Sequence, residues 1–151
     1  ERLSVYESTG PMIPSNIENT IIRKCNEKIV NDFIATFPLP LDVLYECSHL
    51  SSFGTVYKTQ QFVILPKSKN QLILFGKIEK LLSCTKNGYL LYQKMKSEYC
   101  ENLDLFFVYE TNEFDVIPLE WLADPRPLQG YTLGGANKIS VSLKNYICEH
   151  V

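Results

Sequence analysis

Two apolar runs, residues 72–84 and 89–95, flank Lys86-Asn87-Gly88, and an Asn-Gly step between such runs is the strongest short-range signal for a β-hairpin. Asparagine and glycine tolerate the positive φ angles that a tight hairpin turn needs, so residues 89–95 are expected to fold back on residues 78–84. Gly76 inside the first run marks a bulge or bend.

Other short β-rich runs surround this pair. Residues 43–47 read as a short strand or a turn of helix, and Gly54 interrupts the polar stretch that follows. Residues 55–65 form a strand region closed by Pro66 and the Lys67-Ser68-Lys69-Asn70 turn. Residues 105–110 give a further strand, and residues 119–123 a short helical turn with the single tryptophan, Trp121. The rigid Asp124-Pro125-Arg126-Pro127 connection comes next, and Gly134-Gly135 with Asn137 predicts a hairpin between residues 131–133 and 139–143.

The N-terminal part reads differently. Residues 1–14, with Gly10, Pro11 and Pro14, are an extended entry segment. Ser15 and Glu18 then make a capping box, and Ile17, Ile21, Ile22, Cys25, Ile29, Val30, Phe33 and Ile34 recur at three- and four-residue spacing. An amphipathic helix over about residues 15–36 is predicted, with Arg23, Lys24, Glu27, Lys28 and Asp32 on its solvated face. Phe37-Pro38-Leu39-Pro40 stops it. The expected fold class is therefore α+β: a helix packed on a mostly antiparallel, curled sheet or partly open small β-barrel. One domain is expected over residues 15–151, β-rich from 41 to 147, since 151 residues at 45% hydrophobic and 21% charged sustain one core.

The chain begins at Glu1 rather than Met and stops at Val151 straight after a strand-like run, so a piece of a longer protein is expected. No apolar run approaches the ~18 residues of a membrane span, and no secretory signal pattern opens the chain. Five widely spaced cysteines without a C-x-x-C pair favour reduced thiols in an intracellular protein. Three arginines and a pI of 5.7 argue against a dedicated nucleic-acid binder, while a local basic face stays open.

Charge is segregated along the second half. Residues 67–96 hold seven lysines and one acid, Glu79; residues 97–124 hold eight acids and no Lys or Arg. If the blocks are neighbours in the sheet, their charges pair across strands; if they diverge, the domain has a basic and an acidic end suited to docking or self-association.

The familiar catalytic signatures G-x-S-x-G, P-loop, G-x-G-x-x-G and H-E-x-x-H are missing, and His49 and His150 are the only histidines. No enzymatic activity and no cofactor are expected. Each histidine lies in a Cys-x-His pair, Cys47-Ser48-His49 and Cys148-Glu149-His150, and two such pairs would complete a tetrahedral zinc site. The spacing matches no established zinc module, so coincidence is the preferred reading and zinc the alternative.

Aromatic residues crowd the acidic block: Tyr99, Phe106, Phe107, Tyr109, Phe114, Trp121 and Tyr131. Core filling is the first explanation and a cage for a methylated lysine the second. Lys67, Lys69 and Lys86 on turns either reach phosphate or protect sheet edges. The candidate partner-binding set is Lys67, Lys69, Lys86, Tyr109, Trp121 and Tyr131.

Phe75-Gly76-Lys77-Ile78, Pro118-Leu119, Pro127-Leu128 and the run 139–147 resemble the β-rich C-terminal module of uncharacterised, mobile-element-associated animal proteins. The order of a hydrophobic strand, the F-G-K-I strand and a hairpin is similar, more loosely, to small β-barrel chromatin readers of the bromo-adjacent or Tudor kind. The resemblance implies a nuclear, non-enzymatic association role and supplies no catalytic residues. The expected function is thus a protein-interaction domain of a larger intracellular protein, nuclear rather than cytoplasmic, that binds a partner or itself through a sheet edge or charge-polarised face. The alternative is a chromatin or nucleic-acid reader using lysine turns or an aromatic pocket, and the distant alternative a zinc-binding or Cys/His enzyme domain; no membrane partner is expected.

Overall fold

The computed structural model describes residues 22–24, 44–52, 54–67, 73–84, 87–132 and 138–143. In chain order the strands are β1 (Ile22–Lys24), β2 (Leu44–Cys47), β3 (His49–Ser52), β4 (Thr55–Lys58), β5 (Phe62–Leu65), β6 (Leu74–Cys84), β7 (Asn87–Cys100), β8 (Leu105–Pro118), β9 (Asp124–Leu128), β10 (Gly130–Thr132) and β11 (Ile139–Val141). A 3-10 turn, Leu119–Trp121, joins β8 to β9. Every pairing among these strands is antiparallel.

The main sheet runs β1-β2-β6-β7-β8-β11-β10, and β3 and β4 form a separate hairpin. One edge of β6 serves two partners, β5 along residues 74–77 and β2 along residues 81–84, while β9 pairs with the outer edge of β5.

The predicted helix over residues 15–36 is overturned. Ile22–Lys24 is a strand, with Ile22 opposite Cys47 and Lys24 opposite Tyr45, and no α-helix occurs among the described residues. The rest of that range lies outside the described residues. The helical periodicity is built largely from β-branched residues (Ile17, Ile21, Ile22, Ile29, Val30, Ile34), which suit a pleated strand at least as well, and the edge of β2 offers the ladder bonds. The described fold is all-β rather than α+β, and its sheet is not closed into a barrel.

The β6–β7 hairpin forms as expected, with its connection displaced. Cys84 pairs with Asn87 and Ser83 with Gly88, so the two connecting residues are 85–86 and Asn-Gly lies inside the ladder. Side-chain register explains the displacement. The observed pairing sets Leu81 against Leu90 and Leu82 against Tyr89, whereas a turn centred on Asn87-Gly88 would set Leu81 against Lys94.

The bulge in β6 falls at Glu79 instead of Gly76, since Ile78 faces Tyr92 and Lys80 faces Leu91. One inserted residue reverses the facing of everything beyond it, and so Ile78 and Leu81 enter the same cluster despite their odd spacing. Gly76 instead makes room for a ring. A Cβ there would lie 2.8 Å from Tyr92 Cδ2 and 3.3 Å from Leu65 Cδ2, so the tyrosine covers the bare backbone.

Among the described residues, one buried cluster packs on each face of the sheet. On the outer face Leu50 and Tyr57 of the β3–β4 hairpin pack with Ile78, Leu81, Leu90 and Ile117. On the inner face Phe62, Phe75, Met95, Val108, Leu128 and Val141, one residue from each of six strands, meet where the sheet curls. Gly130 allows this curl, because a Cβ on it would sit 2.5 Å from Phe62 Cε1 and 2.7 Å from Ile139 Cγ2. Gly130→Ala is expected to destabilise the domain by about 1–3 kcal/mol through overpacking, read as a lower urea midpoint at unchanged m.

Two buried tyrosines tie stability to alkaline pH. The Tyr57 hydroxyl donates to the Pro125 carbonyl, and burial followed by the Asp124 carboxylate pushes its pKa up to about 12. Burial and then Asp115 push Tyr92 to about 12 as well. Both values are raised above the ordinary 10.0, so this contribution is complete below pH 10 and is lost as pH climbs toward 12. Urea midpoints should fall across that window, and Tyr57→Phe should flatten the fall; an unchanged profile in the variant would refute the assignment.

Candidate binding face

Strand β7 alternates cleanly between the two sides of the sheet. Gly88, Leu90 and Tyr92 point outward and are buried, and further along the same side Lys94, Lys96 and Glu98 are exposed. The outer face is thus covered over one half and open over the other.

Ladder register continues this half over four strands, with Phe107 and Tyr109 half-buried and Ser140 buried. Lys96 pairs with Tyr109, and Glu98 pairs with Phe107. Phe107 pairs with Ser140, and Ser140 with Tyr131. Lys138, one residue before β11, adds an ammonium whose Nζ lies 5.1 Å from the Phe107 ring centroid. Tyr131 is 60% exposed, which leaves its ring available at the margin of the face. Phe106, Val108 and Met95 alternate to the inner side, where Phe106 stacks edge-on against Phe75 at 5.2 Å.

Polar contacts hold the face in place. The Tyr109 hydroxyl donates to Glu98 Oε1 at 3.3 Å, Ser140 Oγ donates to the Tyr131 carbonyl at 3.1 Å, and Lys94 lies 3.8 Å from Glu113. Lys96 makes no ion pair among the described residues. Toward β5 the face runs into a cleft of about 280 Å³ lined by Leu65, Pro66, Leu74, Phe75, Tyr92, Lys94, Met95 and Asp115.

The oppositely charged blocks turn out to be neighbours. The acidic strand β8 lies directly against β7, and Lys77–Glu110 at 2.5 Å joins Lys94–Glu113 in pairing the two blocks. Lys80 instead finds Glu46, 3.3 Å away on β2. Among the described residues, Lys77 and Lys94 are thus paired with the acidic strand, and Lys96 is not.

Of the six sequence-predicted binding residues, Tyr109 and Tyr131 share the open face. Trp121 is exposed but sits beyond Pro118, which pairs with Tyr89, at the opposite end of β8. Lys67 is exposed just past β5, and Lys69 and Lys86 lie outside the described residues. Lys94, Lys96, Phe107 and Lys138 complete the face and were missing from that set. The signal for the first three was the period-two runs Lys94-x-Lys96-x-Glu98 and Phe107-x-Tyr109, and Lys138 had none.

Cys47 and His49 fall in different sheets, on either side of a bend at Ser48. The Cys47 thiol lies 3.5 Å from Ser83 Oγ, and His49 Nδ1 lies 3.0 Å from Ser48 Oγ. Cys148 and His150 lie outside the described residues, among which no group of three or more His, Cys, Asp or Glu side chains is arranged to hold a metal ion. No helix of the described residues is long and apolar enough to cross a membrane.

In comparisons with known proteins, no family model, no curated protein and no solved structure matches this chain.

The bulge in β8 supports the face from below. Between Gln93–Phe114 and Met95–Glu110 the register gains two residues on β8. Gln93 Nε2 donates to the Thr111 carbonyl at 2.5 Å, and Thr111 Oγ1 donates to the Lys94 carbonyl at 2.6 Å. Lys77, only 7% exposed, meets Glu110 beside it. Glu110→Gln should cost about 1–2 kcal/mol in urea unfolding by leaving a desolvated ammonium short of its anion, and adding Lys77→Met should recover most of that loss. Additive losses in the double variant would contradict the pairing.

Proposed function

We propose that this chain is a non-catalytic binding module that engages its partner through the open half of the outer sheet face. The observation that carries the reading is the row Glu98–Phe107–Ser140–Tyr131, flanked by Lys96–Tyr109, in which charges of β7 and rings of β8 and β10 line one side of the sheet around the buried Ser140 of β11. Aromatic residues presented this way offer large contact area at small entropic cost, which is the usual composition of a recognition surface. The adjacency of the acidic and basic blocks removes the motive for a charge-polarised docking face. A second reading, strand addition at a sheet edge, is favoured by β10, which ends the sheet path and is paired only to β11 among the described residues.

The test is affinity capture with the native chain and with a Tyr109→Ala/Tyr131→Ala double variant of matched urea midpoint. Partners retained by the native chain should be lost from the variant. Equal recovery by both proteins would reject the face as the binding surface.

A further inference from the structure

We infer that the open face takes a second copy of this chain, the two packed outer face to outer face about a two-fold axis lying over the row Ser97–Val108–Ile139–Thr132, which crosses all four strands; this rests on the binding-module reading above. Charge balance is the first argument. Lys94, Lys96 and Lys138 stand against Glu98, Glu113 and Asp115, so the face suits neither a polyanion nor a polycation but a surface that alternates sign as it does. An isologous contact supplies one, because the axis that sets residue i against residue j also sets j against i. Along β7 the outward positions on either side of Ser97 are Lys96 and Glu98, and the axis exchanges them, so each Glu98 meets Lys96 of the second copy. Packed sheets stand about 10 Å apart, a gap that a lysine and a glutamate span together. Among the described residues Lys96 has no ion pair, and Glu98 is engaged only by the neutral Tyr109 hydroxyl. Phe107 comes opposite Tyr109 of the second copy in the same way, and Lys138, which lies over Phe107, gains that second ring.

The two ends of the face are the second argument. The cleft of about 280 Å³, with Leu65, Pro66, Leu74 and Tyr92 in its lining, lies to one side of the axis, five positions along β7 from Ser97 to Tyr92. The tip of the β7–β8 hairpin lies as far to the other side, five positions from Val108 to Leu103, a leucine that is 55% exposed. The axis therefore sets Leu103 of each copy over the apolar cleft of the other, and both contacts form at once. The footprint from tip to cleft is about 35 Å long and about 15 Å wide. It covers on the order of 500 Å² per copy, against about 800 Å² in a standard interface. A weak, reversible dimer follows, with a dissociation constant of about 10–500 μM.

The test is sedimentation equilibrium of the whole chain from about 5 μM to about 1 mM, a range that brackets that constant. The native mass should climb from monomer toward dimer. Lys96→Glu and Glu98→Lys each set like charges against each other twice and should raise the dissociation constant at least about tenfold. An equimolar mixture of the two variants should recover the native affinity, because every facing pair is then opposite in sign, and such recovery requires both variants to be folded. Leu103→Ser should weaken association about fivefold or more at unchanged urea midpoint, while Trp121→Ala, at the far end of β8, should associate like the native chain. A chain that stays monomeric at about 1 mM, association unchanged in either charge variant, or charge variants that stay monomeric when mixed would each overturn the inference. If the chain stays monomeric while the captured partners still depend on Tyr109 and Tyr131, the occupant fails and the module reading survives; if those tyrosines affect neither association nor capture, both fail.

Discussion

The register of β7 is the constraint on which the rest of the structure depends. This strand is bonded to β6 over residues 87–95 and to β8 over residues 89–100, and each of these long neighbours takes its facing from it. A one-residue slip would carry Leu90 and Tyr92 to the inner side and Leu91 and Met95 to the outer side, emptying both cores at once. Apolar pairing across β6 and β7 is strong enough to overrule the local turn preference of Asn87-Gly88. Burial of a leucine pair amounts to several times the fraction of a kcal/mol by which one turn is preferred over another.

Charge has a subordinate part in this arrangement. The lysine-rich and acidic segments face each other across the β7–β8 ladder, and exposed pairs such as Lys94–Glu113 contribute under about 1 kcal/mol each. Lys77–Glu110 differs because the lysine is desolvated, and the value of the pair lies chiefly in what its loss would leave behind. Sequence segregation of charge here reflects strand adjacency, since consecutive strands of a meander place one block beside the next.

Legibility of the sequence followed how local each signal was. The β6–β7 hairpin was readable because two apolar runs and a turn signal agreed. The turn position was not, since it depends on which leucines meet across the ladder. Gly76 was read as a bulge or bend, and the bulge lies instead at Glu79, which has no local signature; the glycine answers to the Tyr92 ring packed over it. The helix over 15–36 failed because three- and four-residue spacing of β-branched residues is compatible with both structures and the edge of β2 is invisible in sequence. Tyr109 and Tyr131 were chosen as members of an aromatic cluster. Their common face emerges only through the pairing of Phe107 with Ser140, 33 residues apart in the chain, and the same long-range pairing separates them from Trp121.

The β8 bulge links the interior to the open face. Its insertion relative to β7 is two residues, an even number, so the side-chain phase survives: Phe107 and Tyr109 before it and Asp115 and Ile117 after it all face outward. An insertion of one residue, as at Glu79, would have turned Tyr109 and Phe107 into the core and pushed Val108 and Phe106 out to water. The extra backbone of the even insertion is satisfied by Thr111 and Gln93, whose hydrogen bonds lie next to the Lys77–Glu110 pair. Thus the polar cluster in the curl of the sheet fixes the phase of β8, and the phase of β8 decides that aromatic rings rather than aliphatic core residues are offered to solvent. The proposed binding face is inherited from the way one irregular stretch of a ladder is hydrogen-bonded.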